Sequence, residues 1–168
     1  IDEDGAIELG RGGFSVEPSV YAGTEGNWAS SRATQSLSEG GIPIPTVVRQ
    51  GEGWALTITG IPDGDRLVAH YRLRNTSPET QRMVLLLAVR PLQVNSPRQF
   101  LNISGGVSPI RNLAWRDDIL SVNGAPRVRV AARYRGASAP LVTLQAFDQP
   151  SFPIAWSEPV QDPTGVAY

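Results

Sequence analysis

The sequence predicts an all-β fold, an antiparallel β-sandwich, and three observations predict it. From Arg66 to Asn75, Leu67, Ala69, Tyr71 and Leu73 alternate with Val68, His70, Arg72 and Arg74, the period of two expected of a strand with one covered and one wetter face. From Met83 to Val89 every position is apolar, bounded by Arg82 and Arg90. That run reads as a strand covered on both sides, with Met83 to Val89 all buried, and such a strand needs a second layer. A half-exposed strand hairpinned to a fully covered one implies a layered sandwich. Finally, no apolar 3.6-residue period with caps runs long enough for a helix, and no repeat of fixed period emerges.

The remaining elements follow in chain order. Phe14 and Val16 alternate with Ser15 and Glu17 after the Gly10-Arg-Gly-Gly13 turn, a first short strand. Val20 to Ser31 is rich in Gly, Ser, Thr and Asn, with Tyr21 and Trp28 embedded, and reads as a loop. Pro43 and Pro45 punctuate the approach to a strand at Thr46-Val-Val-Arg49, because proline sits at a strand's edge or start rather than its middle. Trp54, Leu56 and Ile58 alternate with Ala55, Thr57 and Thr59, a half-buried strand ending at Gly60-Ile-Pro-Asp-Gly64. Leu92 to Pro109 is the longest irregular stretch, and loops of that length inside a compact domain are usually functional or disordered. Strand pattern resumes at Ile110 to Trp115. Ile119 to Val122 is joined to Arg127 to Ala131 through Asn123-Gly124, the strongest short hairpin signal because both residues tolerate positive φ. Leu141 to Phe147 and Phe152 to Trp156 are two further candidates.

At 168 residues the chain fits a single β-sandwich domain spanning 1–168, large enough to bury roughly 70% of its unfolded surface. No apolar run approaches the ~20 residues that span a bilayer, so no membrane partner is expected. A net charge of −1 provides no steering field, which argues against nucleic acid as well. All fifteen basic residues are Arg, a bias that fits genomic codon usage of a bacterial kind. With no Cys, disulfides, thiolate metal sites and a thiol nucleophile are excluded together, and the compartment is left open. The chain begins at Ile1 and its one Met is Met83, so the sequence reads as an internal segment of a longer polypeptide.

Catalytic chemistry finds little footing. His70 stands alone, beside Arg72 and Arg74 on the wetter face of its strand, and reads as a polar sheet residue rather than an acid, base or metal ligand. Glycosidase chemistry needs two carboxylates facing across a bond, yet Glu39, Asp63, Asp65, Asp117, Asp118 and Asp148 all adjoin turn sequence, where Asp commonly bonds the local backbone. Asp63-Gly-Asp65 and Asp2-Glu-Asp4 do not continue into calcium-loop spacing. Gly10-Arg-Gly-Gly13 and Gly51-Glu-Gly53 lack the following helix of a phosphate cradle, and no serine sits in a Gly-x-Ser-x-Gly elbow. Asn75-Thr-Ser77 and Asn102-Ile-Ser104 match the glycosylation sequon but carry no weight in a bacterial chain. No cofactor and no metal are expected.

Binding has more support. Sugar recognition uses an aromatic face together with planar amide or guanidinium groups. Trp28 in its polar loop, and Phe100 among Gln93, Asn95, Arg98, Gln99 and Asn102, supply that mixture as candidate contacts to a ligand or to another domain.

The stretch from Tyr71-Arg-Leu-Arg-Asn-Thr-Ser77 through Leu86-Leu-Ala-Val-Arg-Pro-Leu-Gln-Val-Asn95 to Gln99-Phe-Leu-Asn102 and Gly105-Gly-Val-Ser-Pro-Ile-Arg111 resembles a β-sandwich segment of large bacterial carbohydrate-active proteins. These carry discoidin-type modules and six-hairpin, α/α-toroid glycosidase domains. The resemblance covers about the middle half of the chain. It implies a supersandwich similar to the galactose mutarotase fold, packed on a toroid that holds the catalytic carboxylates. Mutarotase chemistry relies on histidines and a glutamate, and with His70 as the one histidine no such set carries over. The expectation is therefore a non-catalytic accessory domain of a bacterial glycoside hydrolase, partnered by the rest of its own polypeptide. The alternatives are an autonomous module binding oligosaccharide, and a sugar-active enzyme with an unrecognised carboxylate pair.

Overall fold

The computed structural model describes residues 1–9, 13–22, 25–26, 32–38, 41–91 and 110–131, the backbone alone at 25–26. The described residues form an all-β sandwich, with eleven strands and no helix among them. In chain order these are β1 (Ile7–Glu8), β2 (Ser15–Ala22), β3 (Glu25–Gly26), β4 (Arg32–Leu37), β5 (Pro45–Gly51), β6 (Trp54–Asp63), β7 (Arg66–Asn75), β8 (Met83–Arg90), β9 (Leu113–Arg116), β10 (Ile119–Val122) and β11 (Ala125–Arg129). The chain divides into two compact units, Ile1–Ile7 with Val16–Leu87 and Glu8–Ser15 with Ala88–Tyr168.

The first unit is organised by an antiparallel sheet of order β4-β5-β6-β7. Register sets its faces, because successive side chains of a strand point to opposite sides. The row Ala33, Arg49, Leu56, Leu73 and the row Gln35, Val47, Ile58, Tyr71 lie on one face, and Val47, Leu56 and Ile58 are almost completely buried there. Trp54, on the same side of β6, is equally buried. The second sheet has the order β1-β2-β3, with β8 also paired to β2. Arg49 of β5 reaches β2, donating from Nη1 to the Pro18 carbonyl at 2.7 Å, and Val20 of β2 is buried as deeply as Val47.

The β7-to-β8 connection is tied down by its own polar groups. Asn75 Nδ2 donates to the Glu79 carbonyl at 2.7 Å, and Asn75 Oδ1 accepts from Ser77 N at 2.9 Å. Ser77 Oγ accepts from Glu79 N at 3.0 Å, and Thr76 N donates to the Gly53 carbonyl at 2.9 Å. The chain thereby turns out of one sheet and into the other. β7 and β8 are not a hairpin: β7 pairs with β6, and β8 with β2.

The second unit holds the meander β11-β10-β9. Asn123 and Gly124 both have positive φ, 53° and 79°, the combination a type I′ turn demands and the reason Asn-Gly suits it. Asn123 Oδ1 also accepts from Arg111 N at 2.7 Å, closing the approach to β9. Asp117 and Asp118, at φ 50° and 61°, make a second turn of the same kind between β9 and β10. Leu113, Leu120 and Val122 are buried, and Pro126 lies on the edge strand β11, where a missing N–H is tolerated.

Three further expectations change. The loop expected over Val20 to Ser31 is interrupted, since β2 runs on to Ala22 and β3 covers Glu25–Gly26. Burial of Val20 on the inner face outweighs the polar composition that follows it. A strand also forms at Arg32–Leu37, where none was expected, and pairs along its whole length with β5. On β8, Leu86, Ala88 and Val89 are buried, but Met83, Leu85 and Leu87 are half-buried and Val84 is exposed. An apolar run signals a strand that avoids water, and it does not say where the covering layer stops. The candidate strands at Leu141 to Phe147 and Phe152 to Trp156 and the long stretch Leu92 to Pro109 lie outside the described residues.

Candidate functional site

The outward face of β4-β5-β6-β7 gathers the most chemistry into one place. Three of its rows alternate with the buried ones, and two further pairs, Ile61 with Val68 and Asp63 with Arg66, lie beyond them at the β6-β7 turn. Arg32, Gln50, Ala55 and Arg74 stand side by side, then Thr34, Val48, Thr57 and Arg72, then Ser36, Thr46, Thr59 and His70. Neighbouring strands are roughly 4.8 Å apart and alternate residues of one strand roughly 6.8 Å apart, so the face is a lattice of hydroxyls closed on one side by cations. Thr46 Oγ1 and Thr59 Oγ1 are hydrogen-bonded at 3.2 Å, which sets the height of the central hydroxyls.

His70, Arg72 and Arg74 are all exposed on β7, and Arg32 is exposed on β4 at the opposite edge. None of the twelve residues of these rows is acidic. Among the described residues, no carboxylate comes within ion-pairing distance of Arg32, Arg72 or Arg74. Arg66 Nε pairs with Asp65 Oδ1 at 3.8 Å in the β6-β7 turn, almost fully solvated, where such pairs contribute little.

Other sequence-level candidates resolve differently. His70 stands where the alternation put it. Asp63, Asp65, Asp117 and Asp118 are exposed at or beside turns. Asp2 bonds its own backbone, its Oδ1 accepting from Ala6 N at 2.7 Å and Asp4 N at 3.0 Å; burial outweighs these bonds and raises its carboxyl above the ordinary range. Among the described residues no group of three His, Asp or Glu side chains converges as metal ligands. Asn75, the described sequon residue, has both ends of its amide engaged. Trp28, Gln93, Asn95, Arg98, Gln99, Phe100 and Asn102 lie outside the described residues, as do Glu39 and Asp148. Among the described residues no helix is long and apolar enough to cross a membrane.

Sequence reasoning found the β7 stripe but missed its hydroxyl floor and missed Arg49. The period-two signal was present in Val47 and Arg49, which must share a face. Comparison with protein-family models, with curated proteins and with solved structures returns no match for this chain.

Proposed function

We propose that this chain is a non-catalytic β-sandwich accessory module of a bacterial glycoside-hydrolase polypeptide, packing against a separate catalytic domain and shaping one side of its cleft. The observation that carries the packing role is an apolar end on the inner face of β4-β5-β6-β7. Leu37 of β4 is 65% exposed, Ile42 in the following turn 61%, and Leu67 of β7 41%. Leu37 and Leu67 belong together. A Cβ placed on Gly60 would meet Leu67 Cδ1 at 3.5 Å and Pro45 Cγ at 3.7 Å, and Pro45 is Leu37's cross-strand partner. Contiguous apolar surface of this kind marks an interaction site. The carbohydrate context rests on the resemblance of the Tyr71–Arg111 region.

Hydrogen exchange of residues 37–45 and 60–67 tests the packing. Exchange should be slower in the longer polypeptide than in the 168-residue chain, and turnover of oligosaccharides by the longer polypeptide should fall in the Leu37→Asp, Leu67→Asp variant. Equal exchange in both contexts, with turnover unchanged, would remove the docking role. A second reading, a module that itself binds carbohydrate, is favoured by the outward rows of the same sheet.

A further inference from the structure

The geometry points to a linear polyuronate, a polysaccharide carrying a carboxylate on each sugar ring, as the ligand of the outward face of β4-β5-β6-β7. This rests on the carbohydrate-binding reading and adds the ligand class to it.

Charge complementarity carries the inference. The chain as a whole has a net charge of −1, yet three adjacent rows of this face concentrate Arg32, Arg72 and Arg74 with His70 and no carboxylate, and the Asp63 carboxylate of the same face stands two rows beyond His70, opposite Arg66. Guanidinium presents a planar fork of donors that matches a carboxylate in a bidentate way. Between the cations stand hydroxyls, Thr57 beside Arg72 and Thr59 beside His70, each able to donate and accept toward sugar hydroxyls. A polyuronate repeats that alternation, one charge and several hydroxyls per ring.

Other occupants fit less well. The aromatic residues Trp54 and Tyr71 of the sheet share the inner face with Leu56 and Ile58, so among the described residues the outward face presents no indole, phenol or phenyl ring on which a neutral sugar ring or a nucleobase could stack. A nucleic acid also calls for a denser and more extensive basic surface than three Arg residues on a chain of net negative charge.

Native affinity electrophoresis of the full 168-residue chain tests this, in gels containing polygalacturonate, its neutral methyl ester, dextran sulfate or neutral dextran. Polygalacturonate should retard the chain, and the methyl ester should not. Arg72→Gln with Arg74→Gln should weaken retardation about tenfold or more, the scale of losing charge-assisted contacts. Thr57→Val with Thr59→Val should weaken it by a factor of about 3, the scale of lost neutral hydrogen bonds. Unchanged thermal melts are expected to show that the substitutions, exposed at Arg72 and Arg74 and half-buried at Thr57 and Thr59, leave the fold intact. Stronger retardation by dextran sulfate than by polygalacturonate, with the Thr variant behaving as the parent, would reduce the face to unspecific charge attraction and overturn the proposal. Retardation by the neutral glycans alone would overturn the polyuronate while leaving the carbohydrate-binding reading standing. No retardation by any glycan would end both.

Discussion

Arg49 crosses the sandwich to Pro18. The residue is 5% exposed, its Nη1 donates to the Pro18 carbonyl at 2.7 Å, and it makes a further interaction besides. Pro18 has no N–H to give to a ladder, and its carbonyl is bonded across the layers by a side chain from the facing sheet. One residue thus satisfies a buried acceptor and ties β5 to β2.

Replacing Arg49 therefore has two consequences. Arg49→Met keeps most of the volume but leaves the Pro18 carbonyl without its donor, an expected cost of about 1–3 kcal/mol. Arg49→Ala adds a cavity and should cost more, ~3 kcal/mol or above. Urea unfolding decides the matter, and a midpoint for Arg49→Met equal to that of the parent would show that the bond contributes nothing to stability.

This contact also marks where the sequence stops being legible. The strands of the β4-β5-β6-β7 sheet from Thr46 to Arg74 were readable because alternation is local: Trp54, Leu56 and Ile58 announce their face without reference to any partner. The face of Arg49 follows from Val47 by the same rule, but a charged residue in the interior is believed only once its acceptor is known, and Pro18 is 31 positions away. The alternation of Phe14 to Glu17 marks only the start of strand β2, which runs through Pro18 to Ala22. In the candidate site, the alternation of His70, Arg72 and Arg74 was visible. The hydroxyl rows were not, because they depend on the register of β4 against β5. That register is set by a turn in which Ser38 Oγ donates to the Ile42 carbonyl at 2.8 Å and accepts from Ile44 N at 2.9 Å, long-range information that Gly40-Gly41 and two prolines merely punctuate.

Gly51 is expected to tolerate no side chain. It is the cross-strand partner of Trp54, and a Cβ there would run into the indole at Cε2, Nε1 and Cζ2. Trp54 is buried, and its Nε1 is a buried polar atom without a hydrogen-bond partner among the described residues. Gly51→Ala should cost about 1–3 kcal/mol through overpacking. Trp54→Phe should cost less, because lost contacts are partly offset by removing an unbonded N–H. If the clash is the cause, the double variant will be more stable than the sum of the two effects, a coupling of at least ~0.5 kcal/mol in a thermal-melt cycle. Simple additivity would refute it.

The β9-β10 turn should be improvable. Asp117 and Asp118 hold positive φ, a region Asp tolerates at some cost and Gly occupies freely. They also place two like charges side by side. The next turn of the same meander solves the same geometry with Asn123-Gly124. Giving the first turn that sequence, Asp117→Asn with Asp118→Gly, should stabilise the protein by about 0.5–1.5 kcal/mol. The bond from Val130 N to the Asp118 carbonyl, 2.9 Å, is made by backbone and should survive. A lower melting temperature for this variant would mean that the carboxylates make a contribution the turn geometry does not reveal.

Tyr71 should make stability fall at high pH. It faces inward on β7 opposite Ile58, and burial pushes its phenol up to about 12 from an ordinary 10.0. Below pH 10 the phenol is protonated whether the chain is folded or not, and the native state keeps its full advantage. Between about 10 and 12 the unfolded chain releases this proton while the folded chain retains it, so unfolding is favoured progressively as pH rises. The interval corresponds to at most roughly 2–3 kcal/mol. Tyr71→Phe removes the group that titrates and should flatten this part of the stability profile, and a near-ultraviolet absorbance titration of the parent should show one tyrosine ionising late, in the folded state, that is missing from the variant. If parent and variant lose stability along the same curve between pH 10 and 12, the alkaline sensitivity originates elsewhere and the burial of Tyr71 does not govern it.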